Sequence, residues 1–255
     1  EQPGNHRLTL TDADYPRALL EIAAPPAVLY AKGRRELLGQ PALAVVGSRH
    51  ATPQGLIDAE AFARVLSDAG LTIVSGLALG IDAAAHVGGL AGVASSIAVV
   101  GTGLDRIYPA TNKALAHRLA EQGLIVSEFP LGTPPLASNF PRRNRLISGQ
   151  TLGTLVVEAA PGSGSLVTAR LAVEQGREVF AMPGSIHSPL ARGCHQLIKQ
   201  GAKLVESAAD ILDELAWPAR LAAPVHPEAS PSPAADAVLA AFDDAPTALD
   251  TLASR

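Results

Sequence analysis

From residue 42 onward the chain alternates short apolar runs with longer amphipathic stretches. The runs are ALAVV at 42–46, LTIV at 71–74, SIAVV at 96–100, LIV at 124–126, TLVV at 154–157, EVFA at 178–181 and KLV at 203–205. Apolar runs of this length, without period-two alternation, predict strands covered on both faces, the habit of parallel strands. The stretches between them carry helical periodicity and predict helices over 53–69, 81–90, 112–122, 142–148, 165–175, 195–199 and 208–215. Gly70, Gly123, Gly176 and Gly201 stand where helices would end in a left-handed residue. Strand–helix–strand repetition of this kind predicts an α/β fold with a doubly wound, mainly parallel sheet of seven strands, Rossmann-like in plan.

Outside that repeat the pattern changes. Residues 1–40, with Tyr15-Pro16 and Pro25-Pro26 ahead of Val28-Leu29-Tyr30, are expected to lead into the main domain (41–216) and pack on its sheet. Residues 217–235 contain Pro218, Pro224, Pro227, Pro231 and Pro233, which suits an extended linker. Residues 236–255 place Val238, Leu239, Phe242, Leu249 and Leu252 at helical spacing, the expected start of a small C-terminal helical module that is too short to bury a core alone. A sequence that opens on Glu1 and stops at Arg255 within that pattern is expected to be part of a longer chain.

At 255 residues and 47% hydrophobic content the chain can bury one large core. The single cysteine, Cys194, excludes internal disulfides and multi-cysteine metal sites, in keeping with a reducing compartment. No run reaches the roughly 18 apolar residues of a membrane span and no signal-like segment opens the sequence, so a cytoplasmic protein with no membrane partner is expected. The formal net charge of −4 argues at first against a polyanionic partner. Its distribution reverses that. Residues 1–204 hold 18 Lys+Arg against 15 Asp+Glu, whereas residues 205–255 hold 2 against 9. Within residues 101–150 Arg106, Lys113, Arg118, Arg142, Arg143 and Arg145 face only Asp105, Glu121 and Glu128.

In a doubly wound sheet ligands bind beyond the carboxyl ends of the strands. The loops predicted there are Gly47-Ser48-Arg49, Ser75-Gly76-Leu77-Ala78-Leu79-Gly80, Gly101-Thr102-Gly103-Leu104-Asp105-Arg106 and Pro161-Gly162-Ser163-Gly164-Ser165. Glycine permits close approach of an anion, and exposed N–H groups at helix starts attract it. Any one such loop is equally a tight turn; four on one rim point to phosphate binding. No dinucleotide fingerprint is present, since Arg106 stands where a third glycine would fall after Gly101 and Gly103, and no glycine is followed by Lys and then Ser or Thr as in a P-loop.

Arg49, directly after the first strand, is placed to grip a phosphate with a two-pronged guanidinium, the alternative being a salt bridge to a neighbouring loop. Phe140-Pro141-Arg142-Arg143-Asn144-Arg145 opens a helix and crowds three arginines at its positive end, a conflict that a bound anion, or pairing with Glu128 or Glu158, would relieve. Asp82 and His86, four apart on one helix, are either a base with its orienting partner or a cap and a core histidine. Cys194-His195 lacks further ligands at metal spacing and reads as packing. No catalytic nucleophile stands out, and neither a metal nor a cofactor is expected. Aromatic content is 4%, with Tyr108, Phe129 and Phe140 near the rim, so binding should lean on phosphates and weaken with salt.

Together, Val45-Val46-Gly47-Ser48-Arg49, Ser75-Gly76-Leu77-Ala78-Leu79-Gly80-Ile81-Asp82 with His86, Tyr108-Pro109 with Asn112, the 140–149 segment and Ser163-Gly164-Ser165-Leu166-Val167-Thr168-Ala169-Arg170 resemble the DprA/Smf family of DNA-processing proteins over roughly residues 12–215. The resemblance implies an extended Rossmann-like domain that dimerises and binds single-stranded DNA. It further implies protection of incoming DNA and help in loading RecA recombinase as single-strand binding protein is displaced, in natural transformation and recombination, without catalysis. It carries the DNA pocket to Arg49, Arg143, Asn144 and Arg145, and the tail 236–255 to the beginning of a winged-helix-like module. Some relatives have a lysine shortly before the Phe-Pro pair; residues 134–139 here contain no basic residue, and Arg142 is the substitute at hand. The full set expected at the DNA is Gly47, Ser48, Arg49, Ser75, Gly76, Arg106, Lys113, Phe140, Arg142, Arg143, Asn144, Arg145, Ser163, Gly164 and Ser165.

Two other classes compete. A nucleotide phosphoribohydrolase of the lysine-decarboxylase-like group would need a glutamate close behind its glycine loop, where this chain has Ser165 to Arg170 and its next acid is Glu174. A scaffold that binds RecA without DNA would leave Arg49 without a role.

Overall fold

The computed structural model describes residues 4–218. The expectations for the linker beyond Pro218 and for the C-terminal module lie outside the described residues. Nine strands appear: β1 (Asn5–Thr9), β2 (Val28–Gly33), β3 (Ala42–Val46), β4 (Thr72–Ser75), β5 (Ser96–Val99), β6 (Leu124–Ser127), β7 (Gly153–Val156), β8 (Glu178–Ala181) and β9 (Lys203–Leu204). The helices among the described residues are α1 (Arg17–Leu20), α2 (Pro53–Asp68), α3 (Ile81–Ala91), α4 (Lys113–Gln122), α5 (Asn139–Gly149), α6 (Gly164–Glu174), α7 (Arg192–Lys199) and α8 (Ala208–Glu214).

All nine strands form one sheet in the order β1-β2-β6-β5-β4-β3-β7-β8-β9. The seven strands expected from the apolar runs are its parallel part. The leading segment differs from expectation. It extends the sheet, with β2 antiparallel to β6 and β1 antiparallel to β2. β1, NHRLT, is polar in sequence and forms the edge; β2, inside it, opens on Val28-Leu29-Tyr30-Ala31, of which only Leu29 and Ala31 are buried, in period-two alternation.

Side chains alternate between two cores. Ala42, Ala44 and Val46 of β3 join residues of α1, α5, α6 and α7, whereas Leu43 and Val45 join α2, α3 and α8. Leu119 and Ala116 of α4 complete the second face with Ala98 and Ile125. Trp217, placed by sequence in the linker, anchors to the domain instead: its indole N–H donates to the Ala69 carbonyl at 2.9 Å. Among the described residues no helix is long and apolar enough to cross a membrane, and no group of three or more His, Cys, Asp or Glu side chains is arranged to hold a metal.

This strand order sets the site. β3 lies between β4 and β7, so the chain winds one way from β3 toward β6 and the other way from β7 toward β9. Loops leaving β3 and β7 diverge and open a crevice at the carboxyl end of the sheet.

Candidate functional site

A cleft of about 690 Å³ occupies that crevice. Gly47, Ser48 and Arg49 form one wall, Ser163, Gly164 and Ser165 the other, and Phe140, Arg143 and Asn144 from the start of α5 close it. The sequence expected all nine. His50, which also lines the cleft, carried no signature in the sequence, whereas Ile147, Val167 and Thr168, likewise in the lining, stood only within the family pattern and were not expected at the DNA.

Arg49 is exposed, and among the described residues no acid pairs with it. Its guanidinium carbon lies 5.9 Å from the centre of the Phe140 ring, and Tyr108 meets Phe140 at 5.5 Å between centroids. An arginine, a phenylalanine and a tyrosine thus make a continuous rim, cationic at one end and aromatic at the other. Across from it α6 begins at Gly164 behind an N-cap, Ser163, whose side chain makes no capping bond. The first-turn N–H groups of an uncapped helix attract an anion. The Ser163 and Ser165 hydroxyls, 2.8 Å apart, stand beside them.

The other anion-receptive ends of the rim are filled by the protein's own carboxylates. Glu158 accepts from the Thr52 N–H at 2.9 Å and the Thr52 hydroxyl at 2.7 Å, while Thr52 caps α2 by accepting from Gly55 at 3.0 Å. Asp82, buried at 7% exposure, accepts from the N–H groups of Gly76 at 3.0 Å and Ala78 at 3.3 Å. The glycine loop after β4 therefore does not face an external phosphate as expected: Gly76 is buried and its N–H is occupied from within. Ser75 is equally internal, donating to the Val45 carbonyl at 2.6 Å. The sequence offered no sign that Asp82 turns back onto the loop preceding its own helix.

The three arginines of α5 are also corrected. Successive helical residues point about 100° apart, so Arg142, Arg143 and Arg145 cannot face one ligand together. Arg143 is buried at 4% exposure beneath the cleft, where it donates to the carbonyls of Gly76, at 2.6 Å, and Val99. Burial pulls its pKa down to about 10, with Asp82 opposing, so it stays charged at neutral pH and acts from the floor of the cleft. Arg145 bonds Glu128 at 2.5 Å, and Arg142 reaches the same carboxylate oxygen at 3.2 Å. Pairing with Glu128, one of the two alternatives, is what relieves their crowding. Arg142 remains largely exposed above the Phe129 ring. Neither Arg142 nor Arg145 lines the cleft. Arg106 donates to the Gly132 carbonyl at 3.1 Å and lies 4.0 Å from Asp105, and Lys113 is exposed at the first turn of α4; both stand outside the cleft.

Asp82 and His86 do not form a base and orienting pair. His86 Nδ1 lies 2.7 Å from Ser96 Oγ, whose single proton goes to the Ile73 carbonyl at 2.9 Å, so Nδ1 carries the hydrogen and donates. Burial, followed by the charge of Arg143, holds the His86 pKa down at about 3. It is a neutral core residue. Cys194 is packing too: burial pushes its thiol up to about 11. Glu174, the next acid after the glycine loop in sequence, does not line the cleft and lies 3.7 Å from Arg170 at the other end of α6.

The family described as DNA recombination-mediator protein A matches residues 6–216. Protein Smf of Escherichia coli is 51% identical over 216 residues, covering 84% of this chain and 58% of that protein, so the chain spans little more than half of that relative's length. The X-ray structure of DNA processing protein A from Streptococcus pneumoniae superposes with a TM-score of 0.79 at 47% identity, covering 82% of this chain and 74% of that one. DNA processing protein A of Helicobacter pylori, solved for insight into its single-stranded DNA binding mode, superposes with a TM-score of 0.75 at 30% identity, covering 83% and 96%.

Proposed function

The chain belongs to the DNA recombination-mediator protein A family, and from that premise we propose that its cleft binds the backbone of single-stranded DNA, with Arg49 as the principal phosphate grip. The observation that carries the proposal is the pairing of an exposed arginine without an acidic partner with an uncapped helix N-terminus on opposite walls of one cleft. Phosphates satisfy both, and the Phe140–Tyr108 rim offers unpaired bases a stacking surface. Asn144 and the Ser163–Ser165 hydroxyls supply neutral donors. Arg143 adds charge from below, while Arg142, Arg106 and Lys113 lie outside the cleft as secondary contacts along the strand.

Binding without catalysis fits the site. Asp82 is the one acid lining the cleft among the described residues, and it is committed to the Gly76 and Ala78 N–H groups. By family likeness the chain would protect single strands entering recombination, work as a homodimer in the cytoplasm, and help load RecA where single-strand binding protein is displaced.

The test is fluorescence anisotropy with labelled single- and double-stranded oligonucleotides at two salt concentrations. Arg49→Ala should keep its melting temperature and lose about tenfold to a hundredfold in single-strand affinity, as expected for a charge-assisted two-pronged contact. Unchanged affinity would remove the cleft from consideration.

A further inference from the structure

We propose that Asn112 is a positioning residue for the phosphate grip, holding Arg49 in place through the 76–80 loop without touching the nucleic acid. The inference rests on the assignment of the cleft to single-stranded DNA.

The backbone that carries Arg49 leans on the end of that loop. Gly80, at φ +74°, lies so close to the Ser48 carbonyl that a Cβ there would overlap it, and the same Cβ would stand 2.9 Å from the Arg49 carbonyl carbon. The Ile81 N–H donates to the Ser48 carbonyl at 3.1 Å. Any shift of residues 80 and 81 therefore moves Ser48 and Arg49.

The loop is not held by its own preference. Leu77 has φ +60°, a left-handed conformation in which the Cβ of a residue other than glycine crowds the backbone carbonyl. Three side chains impose it. Asp82 takes the N–H groups of Gly76 and Ala78, and Arg143 takes the Gly76 carbonyl. The third is Asn112, from the turn that leads into α4. Its Nδ2 donates to the Leu77 carbonyl at 3.0 Å and the Ala78 carbonyl at 3.1 Å. Both amide hydrogens thus go to the two carbonyls that follow Gly76. Asn112 is only partly buried and is not among the residues lining the cleft. It can be changed without leaving a buried charge unpaired, which neither Asp82 nor Arg143 allows.

The test is a pair of double-mutant cycles in the 255-residue chain, read by anisotropy with a labelled oligothymidylate at low salt, with thermal melts followed through Trp217 fluorescence. Asn112→Ala is expected to weaken binding about tenfold, the worth of two neutral hydrogen bonds. In an Arg49→Ala background the same change should cost less than about twofold, because the group it positions is gone. In a Lys113→Ala background the loss of about tenfold should persist, although Lys113 is the next residue in the chain.

Unchanged affinity in Asn112→Ala, equal losses in all backgrounds, or coupling to Lys113 in place of Arg49 would overturn the proposal. A contribution confined to stability would lower the melting temperature with no dependence on background, and so counts against it. If Asn112→Ala melts below the assay temperature, Asn112→Ser, which keeps a donor on a shorter arm, is read in the same cycles. If Arg49→Ala itself leaves binding intact, the cleft assignment falls and the positioning role with it; a normal Arg49 effect beside a silent Asn112 defeats the positioning role alone.

Discussion

Glu128 holds two arginines and should trade stability against binding. Its side chain is 4% exposed and one oxygen receives both Arg145, itself 16% exposed, and Arg142. Its other oxygen, and one terminal nitrogen of Arg145, are buried without partners. Burial lowers the Arg145 pKa against the pull of Glu128. Glu128→Gln keeps the shape and removes the charge, leaving the mostly buried Arg145 with no counterion. Removing one partner of a buried pair costs about 3 kcal/mol, which for a domain of this size lowers the melting temperature by roughly 6–12 °C. Arg142, at 63% exposure, is simultaneously released next to the cleft-lining Pro141 and Arg143. Freed from that carboxylate, its secondary phosphate contact should strengthen, tightening single-strand binding a few-fold at low salt and steepening the log–log salt dependence by up to about 0.7. Calorimetry and a salt series on the same variant read the two effects. A variant that melts with the wild type, or binds single strands less tightly, refutes the account of Glu128 as an internal counterion.

The neutral, buried His86 makes stability depend on pH. Its pKa is about 3 in the fold against an ordinary 6.5, so this contribution is complete above pH 6.5 and is lost as pH falls toward 3. The unfolding free energy drawn from melts should drop by about 1.4 kcal/mol per pH unit within that window, and a flat profile between pH 6.5 and 4 would contradict it. Gly88 of α3 meets the Glu60 carbonyl of α2 with no room for a Cβ. Gly88→Ala should therefore destabilise by about 2–3 kcal/mol, seen as a lower urea midpoint at unchanged slope, and an unshifted midpoint would show the helices free to part.

The parallel sheet was readable because buried parallel strands advertise themselves: each apolar run between 42 and 205 became a strand. β1 and β2 were not: NHRLT reads as polar, and the short run Val28-Leu29-Tyr30, ahead of the repeat, gives no sign that it pairs antiparallel with β6. At the site, glycine and serine content located the walls of the cleft correctly, because those loops must follow strands. What composition could not tell was which anion each loop receives. Gly76 and Gly164 look alike in sequence, yet one meets Asp82 and the other faces the cleft. The arginines of α5 raised the same difficulty. Their direction depends on where the helix starts, and α5 starts at Asn139, three residues before the helix expected from 142. Asn112 was visible only as part of a family pattern, because its partners lie more than 30 positions away.

The antiparallel ribbon at the sheet's edge has a consequence for how the molecule is made. β2 takes its place beside β6 through pairs such as Tyr30 with Ser127 and Gly33 with Leu124. A ribosome adding about 5–20 residues per second needs roughly 5–20 s to bring that neighbour out. Until then β2 lacks that neighbour, and of the strands beside it in the sheet only β1 has been made, with Leu8 opposite Leu29. Leu29 and Ala31, fully enclosed in the finished protein, share their core with Leu124 and Val126 and cannot complete it before those residues are made. Synthesis from amino to carboxyl end thus produces this strand well before its docking edge exists.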